Sequence, residues 1–162
     1  MPTVYLGLGS NIQPRNNLKF ALEELEGHFG RLETSSVYRS AAYGFDGDDF
    51  LNMVVRFGTT LSPAELHAQL EEIQRTAGRD RDAHGYSPRT LDIDLLLYDD
   101  LIMNKPPIRL PRPDVLRFSF VLGPLVEIAP ELVHPVTNQS LQAHWEQFDA
   151  GRHPVTREDV IF

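Results

Sequence analysis

An acidic pair set inside an apolar run constrains this chain more than any other feature. In Leu91-Asp92-Ile93-Asp94-Leu95-Leu96-Leu97 the first apolar residues alternate with two aspartates at the period of two that a half-buried strand requires. Both carboxylates therefore leave one face, with Cβ atoms roughly 6.5 to 7 Å apart at a rise of about 3.3 Å per residue. That spacing lets them converge on one hard cation or bridge two. A strand ending in three leucines reads as buried on at least one face, and like charges inside it repel and resist desolvation unless a cation holds them. Arg89, with Arg79 and Arg81 upstream, brings planar donors suited to phosphate oxygens. Two acids for metal and three arginines for phosphate suggest phosphoryl chemistry. Asp-x-Asp on an edge strand is also a common solvated outer face, and residues alone leave that alternative open.

The chain has 162 residues, enough for one domain spanning 1–162 to bury a core without staples. Cysteine is absent, which excludes a disulfide framework, a thiol nucleophile and a Cys-based zinc site. No run of apolar residues is long enough for a membrane span, and no basic-then-apolar leader opens the chain, so the expected location is cytoplasmic. The formal net charge of −8 disfavours sequence-independent binding to nucleic acid. A small arginine cluster can still hold a triphosphate in an acidic protein when Mg²⁺ shares the neutralisation. The expected partners are small molecules, and the chain is expected to be a monomer.

Residues 3–9 alternate as a strand, and Gly7-Leu8-Gly9-Ser10-Asn11 after it reads as a tight turn with close backbone packing rather than a phosphate loop. Pro14 opens a helix whose apolar face is Leu18, Ala21, Leu22, Leu25 and Phe29. Residues 31–39 read as a second strand, 41–49 as a loop, and 50–57 as a third strand with Leu51, Met53, Val55 and Phe57 on one face. Phe50 beside Asn52 can stack on a flat heterocycle and read its hydrogen-bonding edge, although a core phenylalanine and a satisfied amide have the same appearance. Ser62-Pro63-Ala64-Glu65 is a capping box ahead of a helix buried through Leu66, Leu70, Ile73 and Ala77. Residues 79–89 form a charged loop that could act as a lid over phosphates. Beyond Tyr98 the prolines at 106, 107, 111 and 113 predict extended or irregular backbone, followed by helices near 120–128 and 141–148 and a loosely held tail from Gly151. The order matches a ferredoxin-like βαββαβ core, an α+β fold with an antiparallel sheet flanked by helices in three layers.

Ser87-Pro88-Arg89-Thr90-Leu91-Asp92-Ile93-Asp94-Leu95-Leu96 resembles the signature of the 6-hydroxymethyl-7,8-dihydropterin pyrophosphokinases. Leu6-Gly7-Leu8-Gly9-Ser10-Asn11, Ser36-Val37-Tyr38-Arg39-Ser40, Phe50-Leu51-Asn52, Gly78-Arg79 and Phe120 to Leu125 also fit that family, in the right order. The resemblance implies pyrophosphoryl transfer from ATP to the pterin hydroxymethyl group in folate biosynthesis. It implies that Asp92 and Asp94 hold two Mg²⁺ ions, that Arg79 and Arg89 stabilise the transferring group, and that Arg81 assists. Phe50 and Phe120 would sandwich the pterin, with Asn52 and the backbone of Ser40, Ala41 and Tyr43 reading its polar edge. Glu71, Gln74, Arg81, Tyr86 and Arg112 fall on the ATP side.

The chain departs from the family pattern on that side. Arg112 in Pro111-Arg112-Pro113 replaces a histidine, Arg117-Phe118 replaces a Glu-Arg pair, Gln74 replaces Glu and Tyr86 replaces Trp. These changes leave a second reading, a re-purposed relative that binds a pterin-like ring without transfer. A third, a ferredoxin-like RNA-binding module, predicts a basic sheet face that the acidic pair and net charge oppose.

Overall fold

The computed structural model describes residues 1–42, 47–79, 91–148, 154–160 and 162, with Arg79 described through its backbone. Its main sheet contains β1 (Thr3–Ser10), β2 (Glu33–Thr34), β3 (Val37–Ser40), β4 (Phe50–Gly58), β5 (Asp92–Tyr98) and β8 (Val155–Glu158). The strand order is β5-β1-β4-β3-β8, with β2 also pairing to β4, and the pairs are antiparallel. Helices α1 (Pro14–Phe29) and α2 (Pro63–Arg79) cover one face, while α3 (Asp114–Arg117), α4 (Ser119–Ile128) and α5 (Leu141–Gln147) follow the sheet's last core strand. A small hairpin of β6 (Met103–Lys105) and β7 (Ile108–Leu110) separates the two sets. The α+β architecture with an antiparallel sheet flanked by helices is the expected one.

The two sheet faces feed two apolar clusters, as the period of two dictates. Val4, Leu6, Leu8, Leu51, Met53, Val55 and Ile93 pack with Leu18, Ala21 and Leu25 of α1 and Leu66, Leu70 and Ile73 of α2. Tyr5, Val54, Leu96 and Leu97 instead face Val121, Leu122 and Leu125 of α4 with Leu141 of α5. Burying each such leucine contributes about 1.5–3 kcal/mol. The capping box forms reciprocally: Ser62 N–H donates to Glu65 at 2.9 Å, and Glu65 N–H donates to Ser62 Oγ at 3.2 Å.

Two expectations are corrected and a third is made definite. The single strand over 31–39 is two strands, because Ser35 interrupts the ladder: its Oγ accepts the Val54 N–H at 2.9 Å, where a regular strand would offer a carbonyl. The proline-rich segment takes the extended alternative, a small hairpin in which Pro106 and Pro107 occupy the turn and cost the ladder no donors. Residues 155–158 of the tail are not loose, because β8 adds a strand to the outer edge of β3.

Candidate active site

The site grows from a bulge in β5. Between Tyr5 and Leu6 of β1 the register slips, so that Tyr5 faces Leu97 and Leu6 faces Leu95, leaving Leu96 as the extra residue. Before the bulge, Leu91, Ile93 and Leu95 point to the α1/α2 core, and Asp92 and Asp94 share the opposite face with Leu96. Arg112 N–H donates to the Leu96 carbonyl at 2.9 Å, which brings that residue beside the acidic pair. Its Nη2 lies 3.6 Å from Asp94 Oδ1 and its Nε 3.3 Å from Asp114 Oδ2. The Nε is buried and makes no aligned hydrogen bond, so charge attraction more than directed bonding holds the guanidinium there.

Asp92 and Asp94 line a cavity of about 260 Å³ at this end of the sheet. Ser40 and Ala41 from the end of β3, Phe50 and Asn52 from β4, and Phe120 from α4 line the same cavity. Asn52 is buried, and its Nδ2 donates to Ser40 Oγ at 2.8 Å and to the Tyr38 carbonyl at 3.4 Å. These donations orient the amide so that Oδ1 faces Gly9, where an added Cβ would stand 3.2 Å away. Gly7 is similarly close to Leu96, with an added Cβ at 3.4 Å from its Cδ1. Both glycines lie within β1 rather than in a turn, and they form the cavity floor because no side chain projects into it.

Sequence reasoning missed Phe118 and Asp114, which line this cavity too. Phe118 stacks on Phe120 with centroids 5.0 Å apart and planes 16° from parallel, extending the aromatic wall. The signal for Phe118 was its spacing of two from Phe120 at a helix start; for Asp114 it was the carboxylate in the first turn of a short helix.

Glu71 and Gln74 lie on α2 and do not line the cavity. Gln74 Nε2 donates to the Leu70 carbonyl at 3.1 Å, and its Oε1 accepts the Ile93 N–H at 3.1 Å. Because Ile93 stands between Asp92 and Asp94 on the end strand of the sheet, Gln74 satisfies the strand's outward-facing donor there. Glu71 is exposed and within 3.4 Å of Gln74 Nε2. Tyr43, Arg81, Tyr86, Arg89 and the side chain of Arg79 lie outside the described residues.

The donor set fits Mg²⁺. Among the described residues no three His, Cys, Asp or Glu side chains form a closed cage. Mg²⁺ retains water and takes one or two carboxylates together with substrate phosphates, which is what a half-buried pair on a cavity wall supplies. Among the described residues no helix is long and apolar enough to cross a membrane.

Fold and site together define a ferredoxin-like α+β domain in which a metal-competent carboxylate pair shares one cavity with Phe50, Phe120 and the buried Asn52. A family model described as 7,8-dihydro-6-hydroxymethylpterin-pyrophosphokinase matches residues 5–130. The chain is 37% identical over 144 residues to the 2-amino-4-hydroxy-6-hydroxymethyldihydropteridine pyrophosphokinase of Aquifex aeolicus, covering 88% of this chain and 89% of the other. It is 40% identical over 147 residues to the protein of that name from Synechocystis, covering 89% and 75%. Among solved structures, wild-type Plasmodium falciparum HPPK-DHPS with SDX-DHP superposes with a TM-score of 0.72 at 14% identity, covering 91% of this chain and 43% of that one. The chain thus spans less than half of that longer polypeptide, and the likeness bears on the fold. The chain belongs to the 7,8-dihydro-6-hydroxymethylpterin-pyrophosphokinase family and is an enzyme of the pyrophosphokinase class.

Proposed function

We propose that the cavity is the seat of the family's reaction, transfer of pyrophosphate from ATP to the hydroxymethyl group of 6-hydroxymethyl-7,8-dihydropterin with release of AMP, in folate biosynthesis. The single observation that carries this reading is the meeting of Phe50, Phe120 and Asn52 with Asp92 and Asp94 in one cavity. The ring slides between the phenylalanines and presents its amide-like edge to Asn52 and to the backbone of Ser40, Ala41 and Tyr43. Its hydroxymethyl group then points toward the two aspartates.

Asp92 and Asp94 would hold two Mg²⁺ ions, which supply charge neutralisation at the phosphates when bound. Arg79 and Arg89 stabilise the transferring group, with Arg81 assisting, and Tyr86, Glu71 and Gln74 serve the nucleotide. Arg112 sits between Asp94 and Asp114 and turns its remaining donors to phosphate. We place the enzyme in the cytoplasm as a monomer of one domain, with ATP and the dihydropterin as its partners.

Turnover with ATP, Mg²⁺ and the dihydropterin, followed by AMP release, tests this. AMP should appear only with the pterin and vanish in Asp92→Ala and Asp94→Ala. Binding of the pterin with no AMP formed would reassign the chain to a ring-binding relative without transfer.

A further inference from the structure

The C-terminal strand β8 lies beyond the residues that the family model matches, yet it pairs with β3 and its side chains link to the residue before Phe50 and to α4. Its first contact is with β3. Val155 pairs with Ser40 while Ser40 pairs with Phe50 on its other side, so the residue whose Oγ receives the Asn52 amide is fixed between two strands. Without β8, a strand of four residues would be the free edge of the sheet, and such edges open readily.

The second contact reaches the Phe50 wall. Arg39 Nε donates to Glu158 Oε1 at 2.6 Å, while its Nη1 lies 3.7 Å from Asp49 Oδ2, directly before Phe50. Arg15 adds a longer pairing to Glu158 at 3.8 Å. The third reaches α4, the helix that carries Phe120. Arg157 Nε donates to Ser36 Oγ at 2.9 Å and its Nη2 to Glu127 Oε2 at 3.1 Å. Glu127 stands near the end of α4, the helix whose second residue is Phe120. Glu127 also accepts the Tyr38 hydroxyl at 2.7 Å and the Ser36 N–H at 3.0 Å, so β3, β8 and α4 meet at one carboxylate.

We propose that β8 is a positioning strap for the ring cavity: it holds Ser40, Phe50 and Phe120 at the spacing a flat heterocycle needs, and so sets affinity for the dihydropterin and not for ATP. This rests on the reading of the cavity as the pterin site. The aspartate pair lies on β5, at the opposite end of the strand order from β8, so loss of the strap leaves it in place. Preorganisation of a pocket acts on affinity because a loose wall must be ordered at the moment of binding.

The test compares the full chain with the Arg157→Ala/Glu158→Ala double variant and with Glu158→Gln. Pterin and a non-hydrolysable ATP analogue are titrated separately, and hydrogen exchange is followed in the free proteins. The double variant should weaken pterin binding about tenfold with the ATP analogue within about twofold. It should also speed exchange over residues 37–40 and 50–52, and Glu158→Gln, which keeps one acceptor for Arg39, should fall between. Unchanged pterin affinity, or equal loss for both ligands, overturns the strap. If the unaltered chain binds no pterin, the assignment of the cavity fails; exchange rates still judge whether β8 orders its walls.

Discussion

Replacing Gln74 by leucine separates two roles that one side chain could have. The structure gives its Oε1 to the Ile93 N–H at 3.1 Å, between the two aspartates of β5. Leucine keeps the volume and removes the acceptor, so the strand's outward donor loses its partner. A neutral hydrogen bond contributes about 0.5–1.5 kcal/mol net, and a donor left buried without a partner costs about 1–3 kcal/mol. For a partly buried pair we expect a loss of about 1.5 kcal/mol. At about 2–4 °C per kcal/mol for a chain of this size, Tm should fall by about 3–6 °C in the ligand-free protein. Thermal and urea unfolding without nucleotide measure this directly. Gln74→Glu retains an acceptor but loses the donation to the Leu70 carbonyl, and should fall between. An unchanged Tm in Gln74→Leu, accompanied by a raised KM for ATP, would refute the structural anchor and leave Gln74 as a nucleotide ligand alone.

Four further outcomes are expected. Asn52→Ala removes the donor to Ser40 Oγ and the group proposed to read the pterin edge, and should raise the pterin KM by roughly 10- to 100-fold, on the scale of about 1–3 kcal/mol for a buried polar partner lost, with ATP KM unaffected in steady-state assays. Chelation of divalent ions should abolish AMP release, and Mg²⁺ readdition should restore it in the unaltered chain but not in Asp92→Ala or Asp94→Ala. Burial, joined by the hydrogen bond to Glu127, pushes the Tyr38 phenol up to about 12. A folded pKa above the unfolded value of 10.0 means that its stabilising contribution is complete below that pH and is lost as pH rises toward about 12; urea midpoints across that window should fall less steeply in Tyr38→Phe. Burial and then the neighbouring His144 push the His134 imidazole down, so its contribution is complete above its ordinary value of 6.5 and is lost as pH falls below it, a slope that midpoints in His134→Asn should lack.

Much of the core was legible because each element carries its own period. Val4, Leu6 and Leu8, then Leu51, Met53 and Val55, alternate cleanly, and α2 announces itself with the Ser62/Glu65 box. The cavity was half legible: Phe50, Asn52 and Phe120 do line it with the aspartates, but spacing in the chain could not say that Phe118 and Asp114 join them. The strap was illegible for a physical reason. Val155-Thr156-Arg157-Glu158 has little apolar alternation, and what holds it is pairing to β3 together with charged contacts from Arg39 and Glu127, residues more than twenty positions away. Ser35 likewise looked like one more strand residue, because nothing local shows that its hydroxyl will take the place of a carbonyl.

The bulge at Leu96 links these two kinds of feature. A regular strand over 91–97 would send Leu97 to the α1/α2 face with Leu95, and only Leu96 to the other face. The extra residue lets both Leu96 and Leu97 enter the α4/α5 core, which accounts for an unbroken leucine run directly after a strict alternation. It also changes the direction of the Leu96 carbonyl's partner: the Arg112 N–H takes it, rather than a strand neighbour, and the guanidinium is thereby delivered to Asp94 and Asp114. The side chain at 112 therefore reaches the acidic pair because of a backbone bond that any residue except proline could make. Changing its identity alters the charge beside the metal-competent carboxylates without disturbing the strand that presents them. Arg112→His should therefore leave the unfolding midpoint nearly unchanged, its effect confined to the charge beside Asp94.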